Sequence, residues 1–235
     1  MNSSAESRQQ ILDSIRAATQ TVAQDSATLA DAYAVLPRAY IHRGQLSTEA
    51  LLALMVERLR EYGAEVVECS PAKLTATIAA QLTASGKHIF TAPAGLPAAW
   101  FIPGFDWKVD YNLTTQEIEG TEGVVTSSSA GIADSGTIAL HHSPAEGRRV
   151  LSLLPDWHLC VLYASQVVET LPEYFSRIPQ PPRLATWISG PSATADIEMT
   201  RIKGVHGPRF LHVVLVRDER KPETVLERSR QANNL

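Results

Sequence analysis

Hydrophobic positions fall into two alternating patterns, and the alternation predicts the architecture. Residues 5–35 hold no glycine and carry Ile11, Ile15, Ala18 and Val22 at three- and four-residue spacing. That narrow stripe suits one long helix, lying on the surface or packed on a neighbour or a second copy, and Pro37 closes it. After a linker from Pro37 to Ser47, Ser47-Thr48-Glu49 opens a second helix. Its Leu51, Leu52, Met55, Val56 and Leu59 share one broad apolar face, and Gly63 ends it. Ala64 to Cys69 reads as a strand, Ser70-Pro71 as a helix start with proline in the first turn, and His88 to Thr91 as another strand. Helix and strand in turn predict an α/β fold, an open and mainly parallel sheet with helices on both faces.

The pattern continues less regularly. The stretch 92–111 gathers Trp100, Phe101, Phe105 and Trp107 among prolines and glycines; it reads as a loop that staples the sheet edge or walls a pocket. Glu122 to Thr126 is a strand, and Ala130 to Leu140 is a hairpin turning at Asp134-Ser135-Gly136, where Gly136 can take positive φ. Trp157 to Tyr163 is a buried strand, and Leu171 to Pro182, with its prolines, a linker. The segment 183–216 then organises the rest. Leu184 to Ile188 and the seven-residue run Phe210 to Val216 read as strands. Between them lie two Gly-Pro turns, Gly190-Pro191 and Gly207-Pro208. Ser192 is a candidate N-cap for a helix holding Asp196 and Glu198 in its opening turns. A helix N-terminus at the carboxyl end of a strand is an anion site, and α/β sheets bind ligands at that edge.

Composition narrows the chemistry. A net charge of −4 without a basic block argues against nucleic-acid and polybasic membrane partners. The polar start MNSSAESRQQ has no apolar signal core, and no apolar run approaches the roughly 18 residues of a membrane span, so a cytoplasmic protein is expected. Cys69 and Cys160 each fall in or beside a strand, read as buried reduced thiols; two cysteines cannot supply the four thiolates of an iron–sulfur cluster. His141 and His142 are adjacent, so on a strand they point to opposite faces and cannot chelate one ion together. Arg148 and Arg149, at a helix start, read as a solvated face or as an anion clamp. No dinucleotide fingerprint, Walker A loop or nucleophile elbow is present, so no metal or cofactor is expected.

The motifs SGPSATADIE, GVHGPR and LHVVLV, with GIADSGTIAL at 131–140 and SLLPDWHLCVLYASQVVETL at 152–171, resemble the LUD domain, and within it the lactate-utilisation protein C family. The resemblance is specific over about 120–216 and weaker over 45–120. Ala193 stands where such sequences often carry a basic residue, and Ser135 where they often carry threonine. It implies the open α/β architecture of sugar-phosphate isomerases and CoA transferases, and a part in oxidising L-lactate to pyruvate beside iron–sulfur partner proteins. The expected layout is an N-terminal helical extension over 1–45, a LUD-type α/β domain over 46–216 and a charged tail over 217–235, with a homo-oligomer possible through the first helix.

These readings meet at one polar rim. Asp196 and His206 form a candidate acid–base pair, or a helix cap and a loop bridge. Arg209 can grip a carboxylate. Ser135, Gly136, Thr137, Gly190, Ser192, Thr194 and Gly207 are the other candidate substrate-binding positions, for a small carboxylate or phosphate. Whether the chain is itself an enzyme stays open. The alternatives are a free-standing isomerase or acyl/CoA-transferase-like enzyme on a phosphorylated or CoA-linked substrate, and a structural subunit with a vestigial site.

Overall fold

The computed structural model describes residues 4–19, 26–37, 39–178, 180, 182–191, 193–194, 202–203 and 207–218. The chain divides into two units, 1–40 and 41–235. The first holds α1 (Ser4–Thr19) and α2 (Ser26–Ala34), so the single helix expected over 5–35 is described as two. Ile11 and Ile15, half of the expected stripe, are exposed; Val22 lies outside the described residues.

The second unit is built on a six-stranded, all-parallel sheet. Its strands are β1 (Glu65–Cys69), β2 (Ile89–Pro93), β3 (Asp106–Asp110), β4 (Gly123–Thr126), β7 (Trp157–Tyr163) and β12 (Phe210–Val216), in the order β1-β12-β7-β4-β2-β3. The long apolar runs β7 and β12 lie side by side near the centre, with Trp157 opposite Phe210 and Tyr163 opposite Val216. Alternate residues of these strands feed two cores. On one face Cys160, Leu162, Val213 and Leu215 meet Leu51, Leu52, Met55 and Leu59 of α3 (Thr48–Glu61). On the other, Leu159, Val161, Val214 and Val216 meet Leu74, Ile78 and Leu82 of α4 (Leu74–Ala84). An α/β sheet with helices on both faces is thus what the hydrophobic periodicity encodes. The helix start at Ser47 is also as read: its hydroxyl accepts from the Ala50 amide at 3.3 Å. Gly63 follows the helix at φ +88°.

A smaller four-stranded sheet covers the α3 face. It runs β8 (Val167–Val168), β5 (Ala130–Ile132), β6 (Thr137–Leu140), β9 (Thr186–Ile188). The β5–β6 hairpin is antiparallel, pairing Ile132 with Thr137 and Ala130 with Ala139. Ile138 and Leu140 face the α3 core, while Ala130, Ile132, Ala139 and Val168 form a second cluster with Tyr174.

Three expectations change. The aromatic loop over 92–111 contains β3, an edge strand parallel to β2; its charged Asp106-Trp107-Lys108 pattern suits an edge rather than a core. Trp100 is buried there and Phe101, Phe105 and Trp107 pack beside it, so this cluster serves burial. The proline-rich stretch after Leu171 holds α6 (Leu171–Arg177): Thr170 caps it, and Pro172 sits in the first turn, where no amide is needed. The helix expected to start at Ser192 is replaced at its first described residues by a ribbon, β10 (Ala193–Thr194) antiparallel to β11 (Ile202–Lys203). A helix between Thr115 and Glu119, α5, has a full capping box at Thr114.

Both cysteines are free and buried, as read from the sequence. Burial pushes the Cys160 thiol up to about 12, so it is an inert core group. Among the described residues no helix is long and apolar enough to cross a membrane.

Candidate functional site

A cleft of about 260 Å³ opens at the amino-terminal ends of β7 and β12, where the last residues of β9 pass over them. Both Gly-Pro turns converge on it: Gly190, Pro191, Gly207 and Pro208 are all in its wall. The sequence places the site at the carboxyl end of the strands, and this location is different. Over β2 and β4 the carboxyl edge is covered by the 141–147 loop. Pro144 and Ala145 carbonyls accept there from the Gly95 and Ser127 amides, at 2.9 and 3.0 Å. Buried Glu146 accepts from Ser129 Oγ and from the His141 and Ser143 amides.

The charge in the cleft is Arg149. It sits in a short 3₁₀ turn (Arg149–Ser152) ahead of β7, and its Nη1 donates to Ser152 Oγ at 3.1 Å. Partial burial holds its pKa below the ordinary arginine value. Among the described residues it has no carboxylate partner. Its neighbour behaves in the opposite way: Arg148 donates to both oxygens of Asp110, at 2.8 and 2.7 Å, and to the Leu113 carbonyl. The two arginines, read together as a solvated face or an anion clamp, therefore divide, one bracing the 110–113 turn and one facing the cleft.

Beside Arg149 lies His158, fully buried, with Nε2 2.8 Å from Thr126 Oγ1. Burial first, and then the Arg149 charge, push its pKa down to about 4, so it is a neutral imidazole at pH 7. Thr186 anchors the opposite wall: His142 Nδ1 donates to the Gly147 carbonyl at 2.7 Å, and in that tautomer Nε2 accepts from Thr186 Oγ1 at 2.9 Å. His141 instead contacts the Tyr174 hydroxyl, so the two histidines serve different neighbours. Among the described residues no three His, Cys, Asp or Glu side chains converge as metal ligands.

The hairpin turn reaches the cleft through hydroxyls. Ser135 Oγ is 2.8 Å from Thr137 Oγ1, and Thr137 Oγ1 is 2.7 Å from Ser189 Oγ. Ser189 lines the cleft; Thr137 is buried behind it. The C-terminal end of α3 clamps this knot. A side chain at Gly136 (φ +59°) would meet Arg58 Cβ at 2.7 Å, and one at Gly190 (φ +83°) would run into the Tyr62 side chain. Gly190→Ala is expected to cost about 1–3 kcal/mol, measured by urea unfolding, because it adds a left-handed non-glycine residue to a steric clash.

The candidate residues thus separate. Gly190 and Gly207 line the cleft, Thr137 and Ser135 back it, and Gly136 supplies the turn. Arg209 does not line it: the guanidinium is exposed and donates to both Asp156 oxygens, at 2.5 and 2.8 Å, which holds the Asp156 carboxyl below its usual range. Thr194 lies in β10, and Ser192, Asp196 and His206 lie outside the described residues. Ser152, His158, Thr186 and Ser189 are wall residues to which the sequence assigns no site role, while Arg149 is one it weighs as a solvated face or an anion clamp.

Fold and cleft together define an α/β unit with a small cleft between its two sheets and one guanidinium in the cleft wall. The family model described as LUD domain matches residues 2–216, and the chain belongs to that family. It is 39% identical over 175 residues to the Lactate utilization protein C of Deinococcus radiodurans, covering 73% of this chain and 82% of that protein. It is 30% identical over 200 residues to the Lactate utilization protein C of an Exiguobacterium species, covering 77% and 86%. A crystal structure of a DUF162 family protein from Deinococcus radiodurans is similar with TM-score 0.63 and 33% identity, over 73% of this chain and 99% of that one.

Proposed function

We propose that the chain takes part in lactate utilisation in the cytoplasm, holding L-lactate or pyruvate by its carboxylate in the Arg149 cleft, while separate iron–sulfur proteins carry the electrons of the oxidation. The observation that carries the reading is Arg149, a half-buried guanidinium in a cleft wall without an acidic partner among the described residues. A fork of donors held by Ser152 in a partly dry setting suits a carboxylate. The relatives' names point to lactate. The division of labour with cluster proteins is supported by two cysteines that are far apart in sequence and buried.

Size supports the same choice over the transferase alternative. At about 260 Å³ the described cleft falls below the roughly 300–1,000 Å³ usual for drug-sized ligands, so it suits a three-carbon acid better than a CoA thioester. The test is twofold: titration calorimetry of the purified chain with L-lactate and pyruvate, and growth on lactate of a deletion strain complemented by wild type or by Arg149→Met. Saturable binding, with growth restored only by wild type, is the expected result. Growth restored equally by both would remove the cleft from the function.

A further inference from the structure

We infer that Ser189 reads the oxygen on the carbon next to the carboxylate, and that the Ser135–Thr137–Ser189 hydroxyl chain lets it accept both the 2-hydroxy and the 2-oxo form of the acid. The inference rests on the reading of the Arg149 cleft as a carboxylate site.

The argument begins with hydrogen-bond capacity. Each hydroxyl carries one proton and two acceptor lone pairs. Thr137 Oγ1 touches Ser135 at 2.8 Å on one side and Ser189 at 2.7 Å on the other. With a single proton, Thr137 can donate to only one of them. When it donates to Ser135, it accepts from Ser189. The Ser189 proton is then directed away from the cleft and its lone pairs face a ligand, which suits the O–H donor of a 2-hydroxy acid. When Thr137 donates to Ser189, the Ser189 proton is free to point into the cleft, which suits the carbonyl of a 2-oxo acid. The reversal needs only rotation of hydroxyls. Both end states are satisfied at the outer end, because Ser135 is exposed and exchanges its bond with water in either direction.

Position completes the case. Ser189 and Arg149 both belong to the wall of one small cleft, so one ligand can meet both. Thr137 is buried and fixed by strand pairing opposite Ile132, which holds the middle of the chain rigid while its ends turn. Gly190, in the left-handed region against Tyr62, sets the backbone immediately after Ser189. A site that serves both members of a 2-hydroxy/2-oxo pair needs a group able to donate and accept at the same point, and a hydroxyl backed by a reversible chain is such a group.

Calorimetry with three acids of the same carbon skeleton tests this: L-lactate, pyruvate and propionate, which lacks the oxygen at carbon 2. Wild type is expected to bind lactate and pyruvate with similar affinity, each about three- to tenfold tighter than propionate, the span of one neutral hydrogen bond. Ser189→Ala is expected to bring lactate and pyruvate down to the propionate level with propionate unchanged, and Ser189→Thr to restore the difference. Thr137→Val, which breaks the chain behind an intact Ser189, is expected to narrow the difference. Discrimination that persists in Ser189→Ala, or that is absent from wild type, overturns the inference. If Arg149→Met still weakens binding of all three acids by roughly tenfold or more in that case, the carboxylate reading stands without it. If wild type binds none of the three, or Arg149→Met binds all three as wild type does, the carboxylate reading fails and this inference with it.

Discussion

Arg149→Met is expected to weaken L-lactate binding by about 1.5–3 kcal/mol, roughly ten- to 150-fold, the range for hydrogen bonds to a charged group. Methionine keeps an unbranched apolar stem that can fill the space near the backbone, so the change chiefly removes the charge and the donors. Stability is expected to hold or rise slightly. The guanidinium is partly desolvated and its pKa lowered for that reason, with no carboxylate to compensate it among the described residues, so methionine relieves a cost. A group whose loss weakens binding that far while leaving the fold as stable as before is held in place for its ligand. Arg149→Lys is expected to fall between, keeping the charge but losing the planar fork. Arg209→Met is the matched control. Arg209 is exposed and paired with Asp156 at the surface, so its loss is expected to leave both stability and lactate binding nearly unchanged. Calorimetry and urea unfolding on the three variants separate the cases. Weakened binding in Arg209→Met with none in Arg149→Met would return the site to the rim that the sequence suggests.

How far the sequence carries depends on the range of the interactions involved. The β7 and β12 runs, the Ser47 cap and the β5–β6 hairpin are legible because periodicity and turn chemistry are local. The β3 strand is hidden because its alternation is charged and its pairing to β2 spans a glycine- and proline-rich loop. The α6 helix is hidden because Pro172 reads as a breaker until Thr170 is seen to cap the turn. The cleft is harder still. Arg148 and Arg149 are identical neighbours, and their separate fates are decided by Asp110, 38 residues away from Arg148. Similarly, Arg209 is held outside the cleft wall by Asp156, 53 residues earlier, which becomes its neighbour only once β12 docks beside β7. Ser189 stands inside the Ser-Gly-Pro motif, but only the contact with Thr137 separates it from any loop serine.

The pH dependence of stability gives the second large effect, and it centres on His158. Its folded pKa is pushed down to about 4, against an ordinary value of about 6.5 in the unfolded chain. A depressed histidine favours the folded state while neutral. That contribution is complete above pH 6.5 and is lost as pH falls toward 4, at up to about 1.4 kcal/mol per unit and about 3 kcal/mol in all. Between pH 7 and pH 5 the expected loss is about 2 kcal/mol. Carboxylates held low by hydrogen bonds, such as Asp110 beside Arg148 and Asp156 beside Arg209, act in a different window. They lose their contribution mainly below the ordinary carboxylate range. His212 is also lowered by burial, and Glu65 opposes that shift, so it adds to the same window. His158→Gln isolates the buried ring. Glutamine keeps a polar group near Thr126 and has nothing to titrate, so the variant is expected to start lower at pH 8 and to descend less steeply. Urea unfolding at pH 8, 7, 6 and 5 measures the difference between the two slopes. Parallel descent of wild type and variant would mean that the imidazole protonates without leaving its place, with water reaching it through the Arg149 cleft. Any loss remaining on the way to pH 5 would then belong to other groups, among them His212, which burial also lowers.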